Sequence, residues 1–270
     1  MSACDRPLPG AIGAASRPLS MLVERIGPDA WLVRRSAAVP DRWIVLSHAI
    51  DEPGQRMALE LVKAAGDENW WVLAVPLAPR QQDTPLDQSL RDVALALGQG
   101  RGQCLRGMRV PHFDLVGCGD GAVAAQQFTS LYPERVVRLV LLPGAEFRVS
   151  PAQGGAGGCY GLLRTPLQVF VPAQGALDRV SARKPVTAPA EVGRVDEWLR
   201  QLRRMAFRRG LQLDCQVVEL ALGAEVRPLR YLQQARVLGA IGAFFRGQHR
   251  AEAPLGPGAG PDASPLQFML

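Results

Sequence analysis

Apolar stretches and stretches with helical spacing alternate along most of this 270-residue chain, and this alternation constrains the fold more than any other feature. The stretches RWIVLSHAI, WWVLAVPL, FDLVG and VVRLVLL are continuously apolar, as strands buried on both faces of a sheet are. GQRMALELVKAAG follows the first and AVAAQQFTSLY the third, each with the period of a helix. Strands joined by helices of this length form right-handed parallel crossovers. The chain is therefore predicted to be an α/β protein with a doubly wound, mostly parallel sheet.

The two ends of the chain differ in composition from this central part. Residues 1–19 are predicted to be a flexible lead-in, residues 20–246 one domain, and the Pro-, Gly- and Ala-rich residues 247–270 a disordered tail. The domain starts with MLVERIGPDAWLVRRS, which predicts an antiparallel hairpin. Residues 143–165 are glycine-rich and are expected to form a loop or at most a short lid.

Charge and cysteine content exclude several functional classes. The formal net charge of +6 is due largely to arginine, concentrated in RVDEWLRQLRRMAFRRG, which predicts an amphipathic helix with a solvated basic face rather than a nucleic-acid site. The five cysteines form no CxxC pair, so no metal site is expected. No apolar run reaches the roughly 18 residues that span a bilayer, and no secretory signal precedes the domain, which predicts a cytoplasmic protein.

The stretch FDLVGCGDGAVAAQQF, residues 113–128, allows three interpretations. VGCGDG is similar to the glycine loop of S-adenosylmethionine-dependent methyltransferases, and Gly117, Gly119 and Ala122 match the G-x-G-x-x-A of a dinucleotide-binding domain. Both families place an acid at the end of the next strand, where this chain has VLLPG and Glu146 arrives several residues late. No cofactor is therefore predicted, and the methyltransferase stays a remote alternative.

The third interpretation extends beyond the glycines. FDLVGCGDGAVAAQQFTSLYPERVVRLVLLPGA resembles the nucleophile elbow of the α/β-hydrolase fold superfamily, in which a strand turns sharply into a helix between small residues. The resemblance covers about residues 21–245. It includes VLSHA, where the oxyanion loop of the family starts, and LQVFVPAQGALDRV, where Asp178 falls at the position of the catalytic acid. The later half is also similar to an uncharacterised bacterial branch of the fold.

The resemblance implies a degenerate triad. The small flanking positions fall on Gly117 and Gly121, and the nucleophile position falls on Gly119. The position of the catalytic histidine falls on Glu225. A serine-type triad needs a hydroxyl, a base and an acid, and two of these three are missing. The chain is therefore predicted to be a noncatalytic pseudoenzyme that binds a small apolar or acyl ligand, or a protein partner.

An active enzyme with a non-standard centre is the alternative. Asp120 is flanked at two residues by Cys118 and Ala122 and would resemble the aspartate nucleophiles of dehalogenases and epoxide hydrolases. Cys118 is a second candidate, as a thiolate stabilised by the helix N-terminus. In either case His48, at the end of its strand, is the candidate base. Catalysis would thus require Asp120 or Cys118 together with His48, with Asp178 as the acid.

Overall fold

The computed structural model describes residues 21–26, 29–49, 52–76, 112–142, 160–172, 189–220 and 228–248. The strands in this part of the chain are β1 Leu22–Arg25, β2 Trp31–Arg34, β3 Arg42–His48, β4 Trp70–Pro76, β5 Phe113–Cys118, β6 Val136–Leu142, β7 Leu167–Pro172 and β8 Cys215–Leu220. The helices are α1 Gly54–Lys63, α2 Asp120–Leu131, α3 Tyr160–Arg164, α4 Pro189–Arg208, α5 Pro228–Leu232 and α6 Ala235–Phe245.

The eight strands form one mixed sheet in the order β1-β2-β4-β3-β5-β6-β7-β8. β1 pairs with β2, and β2 with β4, in antiparallel fashion, whereas all the other neighbouring strands are parallel. The doubly wound α/β sheet with an antiparallel N-terminal hairpin is therefore confirmed. β5 lies in the middle of the sheet, where Val116 is in register with Leu46 on one side and Val140 on the other.

Each face of the sheet buries its own apolar cluster. α2, α3 and α4 cover one face with side chains such as Phe128, Leu163 and Leu202. α1, α5 and α6 cover the other with side chains such as Leu61 and Phe244. Because the sheet is buried on both faces, its central strands are mostly apolar, with their charged residues close to the N-terminal ends of the strands.

Two sequence expectations differ from the structure in detail. The stretch 143–165 was expected to be loop or lid, but its last part forms the short helix α3, because Leu162 and Leu163 are buried in the core. The helical period of LRYLQQARVLGAIGAFF predicts one continuous closing helix, yet this stretch is divided into α5 and α6 by the extended backbone of Gln234, with φ −89° and ψ 125°. In one continuous helix Tyr231 and Val237 would face different sides, and the break allows both to be buried in the same cluster.

A charged cluster is buried at the N-terminal edge of the parallel strands, within β5. Asp114 is only 1% exposed. Arg42 Nη1 donates a 2.5 Å hydrogen bond to Asp114 Oδ2, and Arg138 Nη1 lies 3.9 Å from Asp114 Oδ1. Burial raises the pKa of Asp114, although Arg42 opposes the shift. The cluster lies at the edge of the sheet opposite to the glycine turn that follows β5.

The stretch LDQSLRDVALALG has the period of a helix, but it lies outside the described residues. The lead-in and the tail beyond residue 248 lie outside them as well, so the proposed domain limits stay predictions.

Candidate functional site

The chain turns sharply at Gly119, between the end of β5 and the start of α2. Gly119 has φ 56° and ψ −127°, a conformation that glycine adopts at little cost and other residues rarely adopt. Its amide donates to the carbonyl oxygen of Leu142 at 3.0 Å, and its carbonyl oxygen accepts from the amide of Ala122 at 3.0 Å. The turn is thereby held between the end of β6 and the first turn of α2.

Close packing surrounds the two glycines that flank this turn. A Cβ on Gly117 would lie 2.6 Å from the Ala122 Cα, and a Cβ on Gly121 would overlap with the carbonyl group of Ser47. The buried Ser47 hydroxyl donates to the carbonyl oxygen of Gly121 at 2.8 Å. Helix α2 therefore crosses the ends of β3 and β5 at a distance that allows no side chain at positions 117 and 121.

The surroundings of Gly119 are less crowded by described residues than those of Gly117 and Gly121. Among the residues that the structure describes, the one neighbour within 4 Å of a Cβ built on Gly119 would be the Pro228 Cγ at 3.5 Å, which is an ordinary van der Waals contact. Pro228 is the first residue of α5, so the chain after β8 returns to the same edge of the sheet as the turn. Position 119 could thus hold a side chain sterically, at the cost of a positive φ.

His48 is buried beside the turn, with 2% of its surface exposed. Its Nδ1 lies 2.7 Å from the carbonyl oxygen of Ala49 and must donate, since a carbonyl oxygen only accepts. The ring packs on the first residue of α1, where a Cβ on Gly54 would lie 2.6 Å from the His48 Cε1. The imidazole is therefore fixed between the end of β3 and the start of α1.

Cys118, the last residue of β5, is fully buried. Burial raises the pKa of its thiol well above the ordinary value, and the nearby Glu52 carboxylate raises it further. Because the thiolate is the nucleophilic form, the environment of Cys118 opposes the activation that a catalytic thiol requires.

The remaining candidates are described only in part or not at all. Asp120 begins α2, and the structure describes its backbone but not its side chain. Asp178, Glu225 and Glu146 lie outside the described residues. The catalytic roles considered for Asp120, Cys118, His48 and Asp178 therefore stay predictions.

Three residues that the sequence did not single out also lie at this site. Ser47 and Gly54 fix α2 and His48 in place, and Glu52 reaches the neighbourhood of Cys118 from the loop after β3. Their only sequence signal is their place at the end of β3 or in the few residues between β3 and α1, because the parallel strands of such a sheet end at its functional edge. Within the part of the chain that the structure describes, no group of three or more His, Cys, Asp or Glu residues could hold a metal ion. No described helix is both long and apolar enough to cross a membrane.

Several solved structures share this architecture. An esterase from Pyrobaculum calidifontis matches with a TM-score of 0.53 and 13% sequence identity, over 87% of this chain and 87% of that chain. A carboxyl esterase 2 from the mycorrhizal fungus Tuber melanosporum matches with a TM-score of 0.52 and 14% identity, over 90% of this chain and 92% of that chain. A predicted CIB-like hydrolase from Thermoplasma acidophilum matches with a TM-score of 0.52 and 10% identity, over 85% of this chain and 100% of that chain. No protein-family model and no curated protein matches the sequence.

Proposed function

We propose that this chain, an α/β-hydrolase-fold protein, binds a small acyl ligand in front of Gly119 without hydrolysing it. The observation that carries the proposal is the turn itself, in which glycine occupies the position with φ 56° and ψ −127°. The nucleophile of the fold stands at the apex of such a turn. A glycine there supplies no nucleophilic side chain.

The packing around the turn supports this register. The elbow requires small residues two positions before and two positions after its apex. Gly117 and Gly121 are the positions where an added Cβ would collide with neighbouring backbone, and they flank Gly119 symmetrically. The alternative register would make Cys118 and Ala122 the small positions, with Asp120, which starts α2, at the apex.

The environment of Cys118 supports the same conclusion. A thiolate nucleophile needs a lowered pKa, and burial raises the pKa of this thiol instead. Cys118 is therefore not part of the proposed function and contributes to the apolar cluster beneath α1.

The proposed ligand follows from what the turn leaves in place. The first amides of α2 carry the positive end of the helix dipole, and in the fold this end faces a carbonyl oxygen of the substrate. Of the described residues, Pro228 alone comes within 4 Å of an ideal Cβ at position 119, at 3.5 Å, so these residues leave space for a ligand in front of the turn. An acyl group presents a carbonyl or carboxylate oxygen for the amides and an alkyl chain that can contact the Pro228 ring.

Isothermal titration calorimetry with saturated fatty acids from butyrate to decanoate tests the proposal. We expect at least one chain length to bind, and Gly119→Leu to weaken its binding about tenfold or more, equal to ~1.4 kcal/mol. Gly66→Leu is the matched control, because Gly66 also has a positive φ, 62°, and has no neighbour within 4 Å of an added Cβ. Absence of binding across the series, or equal binding by Gly119→Leu and the wild type, would contradict the proposal.

An esterase panel distinguishes the alternative of an active enzyme. We expect the wild type to hydrolyse 4-nitrophenyl esters from acetate to octanoate no faster than Asp120→Asn. Hydrolysis that disappears in Asp120→Asn and in His48→Ala, with both variants folded by circular dichroism, would establish the non-standard centre and overturn the noncatalytic proposal.

A further inference from the structure

The outer surface of the C-terminal half of α4 combines arginine with an exposed aromatic ring. The inner surface of this half is apolar and buried against the sheet through Trp198, Leu199, Leu202 and Ala206. The exposed side chains at the end of the helix and just after it form the basic face, which we define as Arg200, Arg203, Arg204, Phe207, Arg208 and Arg209. The inner surface accounts for why the segment is a helix, but not for the composition of the basic face.

Phe207 is 85% exposed, although phenylalanine is among the residues most often buried. Helical spacing places Arg203 and Arg204 directly beside it, one turn earlier, since residues three and four apart are neighbours on a helix. Arg208 follows it in the chain. An apolar ring thus projects into water from within a group of guanidinium groups.

Three of the five arginines on this surface have no described carboxylate paired with them. Among the side chains described on α4, Glu197 is the one carboxylate, and it pairs with Arg200 at 3.1 Å. Arg203, Arg204 and Arg208 form no ion pair within the described part of the chain. Such a cluster attracts an anionic partner through its field.

We propose that the basic face docks on an anionic membrane surface, with Phe207 entering the headgroup layer. Guanidinium groups pair with lipid phosphates and carboxylates, and basic side chains near the anionic leaflet each add to binding. Apolar side chains such as phenylalanine bind membranes by entering the boundary between the headgroups and the acyl chains. A bilayer offers both an anionic surface and an apolar layer beneath it, which matches arginines around a projecting ring.

Two features of the structure favour a membrane over a nucleic acid. Single-stranded nucleic acids bind where several aromatic rings stack successive bases along a basic groove. The basic face has one aromatic ring, and it projects from the outer side of a helix rather than lining a groove. Because the apolar side of α4 is occupied by the core, the helix contributes its basic face alone, and binding should be reversible and sensitive to salt.

Vesicle flotation tests the proposal with the full chain. We compare vesicles of phosphatidylcholine alone with vesicles in which about a third of the lipid is phosphatidylserine. We expect binding to the anionic vesicles only, lost at high salt. Arg204→Glu/Arg208→Glu should weaken it by about 25-fold or more, since each charge near the surface accounts for about fivefold.

Matched control variants test whether vesicle binding depends on the basic face itself rather than on the net charge or on any exposed apolar side chain. Arg230→Glu/Arg236→Glu changes the net charge equally at exposed helical positions elsewhere and should bind far better than the variant in α4. Phe207→Ala should weaken binding by roughly fivefold. Val39→Ala, at a position that is 80% exposed and lies outside the basic face, should leave vesicle binding unchanged.

Three results would overturn the proposal: no binding to anionic vesicles, equal loss in the two double variants, or equal binding to neutral and anionic vesicles. Binding to single-stranded or duplex DNA through Arg204 and Arg208, without vesicle binding, would likewise overturn it and assign the basic face to nucleic acid. Each variant is first compared with the wild type by thermal unfolding, so that a folding defect is not scored as lost binding.

Discussion

The Ser47 hydroxyl donates a 2.8 Å hydrogen bond to the carbonyl oxygen of Gly121, and the backbone of Ser47 fills the space that a side chain at position 121 would need. The end of β3 and the start of α2 are therefore locked together by one contact. This contact holds the first turn of α2, which directly follows Gly119, against the end of β3.

Substitutions at Gly121 and Gly119 should distinguish the energetic cost of steric overlap from the cost of a positive φ. Gly121→Ala forces backbone against backbone, because the Ser47 carbonyl cannot move away without displacing β3, and should cost about 3 kcal/mol or more. Gly119→Ala meets no close neighbour among the described residues and should cost only the positive φ, about 1–3 kcal/mol. Urea denaturation of both variants measures the difference.

Gly239→Ala is the control for these substitutions. Gly239 lies within α6, and an added Cβ there has nothing within 4 Å. Alanine favours a helix over glycine, so this variant should be more stable than the wild type by about 0.5–1 kcal/mol. A Gly121→Ala variant as stable as Gly119→Ala would show that α2 does not pack on β3 as described.

The packing of His48 on Gly54 predicts an energetic coupling between these two positions. A Cβ on Gly54 would lie 2.6 Å from the His48 Cε1, and the ring is held by its bond to Ala49. Gly54→Ala should therefore destabilise the wild type by about 2 kcal/mol. In a His48→Ala background the methyl group has room, and a double-mutant cycle should give a coupling of about 1–3 kcal/mol. Additive effects would mean that the ring does not contact α1.

Much of this fold can be predicted from the sequence because its central strands are buried on both faces. FDLVG and VVRLVLL are recognisable as parallel strands, and the glycines after the first indicate a close crossing with a helix. The period of the last helical segment, by contrast, does not reveal its break at Gln234, which depends on the cluster that Tyr231 and Val237 share.

The contacts of single side chains depend on partners that are distant in sequence. Asp114 stands within an apolar strand, and nothing near it in the chain indicates that Arg42, 72 residues earlier, would pair with it. The fixed orientation of His48 likewise depends on Gly54 and on a carbonyl oxygen, neither of which carries a chemical signature. The sequence could thus rank His48 as a candidate base but could not show how its ring is held.

Asp114 should make stability depend on pH in a defined direction. Burial raises the pKa of its carboxyl above the ordinary value of 3.8 and outweighs the opposing effect of Arg42. Because its pKa is raised in the folded protein, the carboxyl holds its proton more tightly there than in the unfolded chain. Its contribution to the free energy of unfolding is therefore complete below pH 3.8 and is lost as the pH rises through the pKa of the folded state. The free energy of unfolding of the wild type, relative to that of Asp114→Asn, should therefore decrease as the pH rises from 3.8 through the pKa of the folded state.

Urea denaturation at several pH values measures that difference. A difference that instead increases with pH would mean that the 2.5 Å bond to Arg42 outweighs burial and lowers the pKa of Asp114. Arg42→Met offers a second check: it removes the opposing charge and should steepen the loss of stability with rising pH, because the buried carboxylate then has one cation fewer beside it.

The two described cysteines should react slowly with iodoacetamide in the folded protein, and Cys118 should be the slower. Cys118 is fully buried, and burial raises the pKa of its thiol well above the usual range. Burial raises the pKa of the partly exposed Cys215 to about 11, so at about pH 8 roughly one thiol in a thousand is the reactive thiolate. Peptide mapping by mass spectrometry after timed alkylation measures each site separately, and urea should accelerate both reactions, Cys118 the more. Rapid modification of Cys118 in the folded protein would instead reveal an accessible thiolate at the end of β5 and would restore it as a candidate nucleophile.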